Sequence, residues 1–153
     1  MKKINLILVI LGLIAFGTTM MSFTEKAEKS STISKTVVTP DDPADAKYPA
    51  GAKIFKAKCA ACHQLSGEGV PGAFPPLKGS DYLLKDKNRA VAQVLNGSNE
   101  SLVVNGNTYT IPMPFQVDTH EDAVAVINYV LNAWGNDGGT VKLEDVKDIK
   151  IVR

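Results

Sequence analysis

The stretch Gly51-Ala52-Lys53-Ile54-Phe55-Lys56-Ala57-Lys58-Cys59-Ala60-Ala61-Cys62-His63 decides how this chain folds and what it carries. Its last five residues have the spacing Cys-x-x-Cys-His, at which two thiols and an adjacent imidazole can hold a haem covalently. The sulfurs of Cys59 and Cys62 lie one helical turn apart, within reach of the two vinyl groups of one porphyrin, and His63 then lies beneath the iron. The motif would attach the cofactor and also supply an axial ligand.

Three other readings of the same residues make different demands. Zinc needs four Cys or His ligands in a closed tetrahedron. A chain with two cysteines and two histidines would have to bring distant His120 to the neighbours Cys62 and His63. A thioredoxin-like pair expects the motif to follow a strand and open a helix, whereas here it ends a helical pattern. A structural disulfide asks only for an oxidising compartment. The haem reading asks for an export signal and a second iron ligand.

The export signal stands at the front. Lys2 and Lys3 precede an uncharged stretch over 4–23, most apolar over 6–16, with Ala15-Phe16-Gly17 as the nearest small-x-small site. A run of about 20 residues is also long enough to span a bilayer, so residues 1–23 read as a signal peptide or an uncleaved membrane anchor. Either way the positive end stays in the cytoplasm and the remainder is exported, to the periplasm or the outer face of the inner membrane. Residues 24–47 are rich in Ser, Thr, Lys, Glu, Asp and Pro and read as a flexible polar linker with a reach of roughly 25–30 Å. Residues 48–135 form one small domain. A buried porphyrin would supply apolar volume that so short a chain lacks, and the haem-free chain should then fold poorly.

Periodicity predicts an all-α domain with about three main helices. The first opens near Pro49 and places Gly51, Phe55 and Cys59 on one face. The second covers about 88–96, with Asp86 or Asn88 as N-cap, Val91, Val94 and Leu95 inside, and Gly97 as its stop. The third carries Ala123, Val126, Ile127, Val130 and Trp134 after Asp118 and Glu121, which have capping-box spacing, and Gly135 closes it. Residues 67–79 are too rich in Gly and Pro for regular structure and suit backbone packed against the edge of a flat cofactor. Val103-Val104 and Thr108-Tyr109 flank Asn105-Gly106, a hairpin signal leading into Ile111-Pro112-Met113-Pro114.

Met113 is the only methionine beyond the front segment. A buried methionine usually fills a gap in a core, but beside a haem motif it becomes the candidate sulfur ligand. Pro112 and Pro114 exclude helix and stiffen the segment that would hold the thioether. His120 is the rival, placed in the first turn of the third helix between capping residues and facing water.

Over these motifs, residues 48–135 resemble a class I cytochrome c. The stretch 51–63 is similar to the family's first helix and haem-attachment motif, and Ile127-Asn128-Tyr129-Val130 resembles its last helix. The resemblance implies the small all-α cytochrome c fold, one covalently bound haem c, and a close helix crossing at which Gly51 lets Phe55 and Tyr129 approach. Pro75-Pro76-Leu77-Lys78-Gly79 looks like the loop whose first proline carbonyl accepts the proton of the axial imidazole, here Pro75 to His63. The hairpin before the methionine looks more like small bacterial members. Residues 136–153 are an extension in which Leu143, Val146 and Ile149 could form a short amphipathic turn that docks on the domain or on a partner.

An iron held by His63 and Met113 has no free position, which makes outer-sphere one-electron transfer the expected function, with no catalytic residue. The alternatives are a membrane-tethered cytochrome subunit of a terminal oxidase or reductase complex, and a haem sensor or peroxidase with a displaceable sixth ligand. Expected partners are redox donors and acceptors, either membrane respiratory complexes or a soluble reductase. Without Lys2 and Lys3 the chain has 15 basic and 16 acidic residues, which argues against nucleic acid. Residues 47–89 carry eight basic and three acidic side chains, and 90–153 four and eight. The lysine side around the haem edge is expected to orient encounters with an acidic partner.

Overall fold

Proline and short polar side chains start the first elements of the domain. In the computed structural model, which describes residues 42–153, helix α1 (Pro43–Lys47) begins with Pro43, and the Asp42 carboxylate accepts from the Ala44 amide at 2.8 Å. The expected signal or anchor at 1–23 and most of the expected linker lie outside the described residues. The end of that linker differs from the expectation. Ala44 is buried, and Asp42 accepts a 2.7 Å bond from the Trp134 amide, so 42–47 pack as part of the domain. One small apolar residue and one cap are enough to dock the segment, a signal too slight for composition to carry.

Helix α2 (Pro49–Ile54) runs without a break through a π-helical turn (Phe55–Cys59) into α3 (Ala60–His63). The Ala60 amide donates to the Phe55 carbonyl across the wide turn, a local expansion often found at functional sites. Gly51, Phe55 and Cys59 all face inward, as their spacing predicts. Gly51 is where α2 crosses α6 (His120–Val130). A Cβ there would collide with the Ala125 carbonyl and lie 2.7 Å from the Tyr129 Cβ. The rings of Phe55, Tyr129 and Trp134 pack beside the crossing with centroids 5.0–5.8 Å apart. Gly51→Ala is therefore expected to destabilise the holoprotein by about 1–3 kcal/mol, the usual cost of overpacking. An unchanged denaturation midpoint would contradict the close crossing.

Ser80 caps a short helix that the sequence reading missed, α4 (Asp81–Lys85), by accepting from the Leu83 amide. Asp86 caps α5 (Lys87–Asn96), which buries Val91, Val94 and Leu95 and stops at Gly97. Strands β1 (Leu102–Val104) and β2 (Asn107–Tyr109) pair antiparallel with Leu102 opposite Tyr109. Asn105 and Gly106 both have positive φ, the requirement of a tight primed turn. Helix α6 starts differently from the expectation. Its N-cap is Thr119, whose hydroxyl accepts from the Asp122 amide, and not the Asp118 and Glu121 pair. It also ends early, at Val130. Trp134 lies in a following 3₁₀ turn (Ala133–Gly135) at φ +57°.

The extension docks on the domain. Val141 and Val146 are buried, helix α7 (Leu143–Val146) rests on α5 and α6, and Asn128 exchanges two hydrogen bonds with the Val141 backbone. Of the three residues expected to form its inner stripe, Val146 is buried, Ile149 is half-buried and Leu143 is exposed. Among the described residues, the three longest helical runs are 49–63, 87–96 and 120–130, and no helix is long and apolar enough to cross a membrane.

Candidate functional site

Two apolar clefts of about 680 and 610 Å³ open between the end of the first helical run, α5, α6, the hairpin and the methionine loop. Their walls share Cys59, His63, Pro75, Leu102 and Met113. Cys62 lines the smaller cleft, beside Lys58. The four residues singled out from the sequence as cofactor-binding are thus brought to one place.

Each is positioned by its own backbone. Cys59 closes the π-helical turn and is buried, whereas Cys62, in α3, is exposed, and neither is paired with another cysteine. Burial pushes the Cys59 thiol up to about 11, with smaller opposing and reinforcing effects from Lys58 and Cys62. A thiol that resists ionisation is a poor thiolate, whether for a metal or for redox exchange. Among the described residues no three His, Cys, Asp or Glu side chains gather as metal ligands, so the zinc alternative finds no ligand set.

His63 is buried at the end of α3, and Nδ1 lies 2.9 Å from the Pro75 carbonyl oxygen. A carbonyl only accepts, so Nδ1 carries the proton and Nε2 keeps a lone pair. Burial lowers the imidazole pKa, partly offset by the Pro75 bond, and favours the neutral ring that a metal needs. The loop 67–79 holds Pro75 in place through tight turns. Gly69 adopts φ +66° directly against the Phe74 and Pro75 carbonyls, where no side chain fits.

Met113 enters the cleft from the opposite chain segment. Its backbone pairs with Ser98 in both directions, at 2.8 and 2.9 Å. Gly97 makes this possible as well as stopping α5, because a Cβ there would lie 2.6 Å from the Met113 carbonyl oxygen. His120 lies elsewhere. It begins α6, lines neither cleft, and its Nε2 is 2.8 Å from the Ile149 carbonyl oxygen.

Arg89 was not anticipated from the sequence. It lines the larger cleft, stacks its guanidinium 3.6 Å over the Tyr82 ring and donates through Nη2 to the Tyr82 carbonyl. Its Nε is buried without a hydrogen-bond partner among the described residues. A buried guanidinium nitrogen left unpaired is costly. The available signal was a cation in the first turn of α5, where the helix dipole disfavours it. An apolar slot with two thiols, a neutral imidazole, a thioether and one incompletely paired cation fits a flat apolar group that carries iron at its centre and carboxylates at its edge.

The comparisons agree with that fit. Residues 48–134 match the family described as Cytochrome c. The chain is 40% identical over 91 residues to cytochrome c-552 of Thermus thermophilus, a match covering 56% of this chain and 69% of that one. It is also 31% identical over 104 residues to the cytochrome c subunit of the quinone alcohol dehydrogenase of Gluconobacter oxydans. A third match, 30% over 109 residues, is to the fructose dehydrogenase cytochrome subunit of Gluconobacter japonicus. These two matches cover 66% and 65% of this chain and 22% of each subunit.

The chain belongs to the cytochrome c family. It is a class I monohaem c-type cytochrome of the all-α fold that transfers electrons through a covalently attached haem c.

Proposed function

We propose that Cys59 and Cys62 hold the haem through thioether bonds, that His63 and Met113 close both axial positions of its iron, and that the chain works as an exported one-electron carrier. The bound group supplies reversible exchange of one electron between ferrous and ferric iron. The observation that carries the reading is the pairing of two fixed donors in the walls of one slot. His63 is locked as the Nδ1–H tautomer by Pro75, and Met113 is held by Ser98.

The remaining residues tune and insulate. The apolar walls exclude water and disfavour the extra charge of the oxidised state, while the stiff backbone on either side of Met113 limits rearrangement. Arg89, through its unpaired Nε, is the partner of a haem carboxylate. Held by both His63 and Met113, the iron would have no position left for a substrate, and the group would supply electron transfer alone.

The lysines of 47–89, among them Lys58 in the cleft wall, suit an acidic docking face on a redox partner, a membrane respiratory complex or a soluble reductase. Residues 1–23 deliver the domain to the periplasm or hold it at the outer face of the inner membrane. A second reading, a tethered cytochrome subunit within a larger oxidase or reductase complex, is favoured by the likeness to dehydrogenase cytochrome subunits. It differs in attachment and not in chemistry.

The test is the closure of the iron. Reduced protein at neutral pH is expected to leave its spectrum unchanged under carbon monoxide, and oxidised protein to show the weak far-red band of ferric thioether ligation. A carbon monoxide complex forming at once would contradict the reading.

A further inference from the structure

The methionine loop is tied to α5 and to the turn after it, through Met113 paired with Ser98 and through the Gln116 and Val117 amides, which donate to the Val94 carbonyl at 2.8 and 3.2 Å. Pro112 and Pro114 lack amide donors, and residues 110–118 contain no helix or strand. The last residues of the described chain lie across its exit. Arg153 pairs with Asp118 at 2.5 Å, reaches the Val117 and Asp118 carbonyl oxygens at 3.4 and 3.3 Å, and sets its guanidinium 4.5 Å over the Phe115 ring. Phe115 is two residues from Met113.

The same segment is fastened independently at its other end. The Asn96 side chain donates to the Lys150 carbonyl at 3.0 Å and accepts from the Val152 amide at 2.6 Å, and His120 Nε2 meets the Ile149 carbonyl. Asn96 ends α5, two residues before the Ser98 that pairs with Met113. Residues 149–153 therefore join the entry and the exit of the segment that carries the sulfur. One end of the strap grips the helix beside Ser98 and the other covers the face of Phe115.

We infer that residues 149–153 are a strap that holds Met113 on the iron, with Arg153 as its positioning residue. The inference rests on the assignment of Met113 as the sixth ligand. An external ligand binds only the fraction of molecules in which the loop has swung away, so its apparent affinity rises in proportion to that fraction. A surface ion pair, a cation–π contact and a few backbone bonds together set that fraction by about tenfold.

The experiment titrates oxidised holoprotein with imidazole in four forms: the full chain, Arg153→Gln, a chain ended after Ile149, and Met113→Ala. Arg153→Gln and the shortened chain are expected to bind imidazole about tenfold more tightly than the full chain and to lose the far-red thioether band at lower temperature. Arg153→Lys, which keeps a cation for Asp118 and Phe115, should restore most of the difference. A general loss of stability would not separate lysine from glutamine in this way.

Unchanged imidazole affinity in Arg153→Gln, with the thioether band present in the full chain and absent from Met113→Ala, would overturn the strap and leave the ligand assignment standing. A full chain that binds imidazole as readily as Met113→Ala would overturn both. If the shortened chain does not fold, Arg153→Gln and Arg153→Lys decide.

Discussion

Replacing Met113 with alanine is expected to lower the reduction potential by on the order of 0.1–0.3 V, within the roughly 0.8 V range that axial ligands command. A thioether favours ferrous iron, and alanine offers no donor, so water or an added ligand would take the position. The same variant should bind carbon monoxide when reduced, whereas the parent should not. The backbone around the site ought to survive, because Met113 is fixed through its amide and carbonyl to Ser98, and alanine keeps both. Voltammetry and carbon monoxide titration measure the two effects. His120→Ala is the control. That imidazole is engaged with the Ile149 carbonyl and lines neither cleft, so its loss should leave the potential near the parent's.

A second large effect is expected from Cys59→Ser combined with Cys62→Ser, which prevents covalent attachment. On the proposed assignment the cofactor would fill the apolar clefts bordered by α5, α6 and the methionine loop. Unfilled apolar volume costs free energy, and an ordinary domain has a stability of only ~5–15 kcal/mol to set against that cost. Helices α5 and α6 would lose the surface between them, and the unpaired Arg89 Nε would add its own penalty. Haem-free double variant should therefore retain part of its helical far-ultraviolet circular dichroism and lose near-ultraviolet signal. A sharp cooperative melt of the haem-free chain, with ordered aromatic signals, would show that protein packing alone sustains the fold.

The parts of this molecule that were legible in the sequence are those in which one residue type answers a local demand. The Cys-x-x-Cys-His spacing is set by a helical turn and Asn105-Gly106 by two positive φ angles, whereas the close crossing at Gly51, a contact with Ala125 and Tyr129, was implied by the family resemblance alone. Met113 could be singled out because the domain holds no other methionine, and the structure brings it to the walls of both clefts. What escaped depends on contacts between distant segments. Arg89 is interpretable only beside Tyr82 and the cleft, and the docking of 42–47 turns on one bond to the Trp134 amide. The start of α6 was misplaced because Asp118, Thr119 and Glu121 all suit a cap, and the choice among them is made by where the chain leaves the methionine loop. Asp118 instead faces Arg153. The end of α6 was misplaced for a related reason. Trp134 sits at helical spacing from Val130, yet it reaches the aromatic cluster through a backbone turn at positive φ.

The extension shows the same division. Its apolar spacing suggested an amphipathic turn, but Val141, outside that turn, is buried alongside Val146, because the Asn128 side chain pairs with the Val141 backbone. Pattern revealed that the segment could dock, and only the position of Asn128 on α6 selects which residues do so.

The assignment of Met113 as an iron ligand is tested most directly by the proton spectrum of reduced full-length protein. A methionine methyl held against iron sits over the porphyrin face, where the ring current shifts it far upfield of every other methyl. One such three-proton resonance is expected, lost in Met113→Ala and retained in His120→Ala. A reduced spectrum with no upfield methyl, or one in which the signal survives Met113→Ala, would contradict the account.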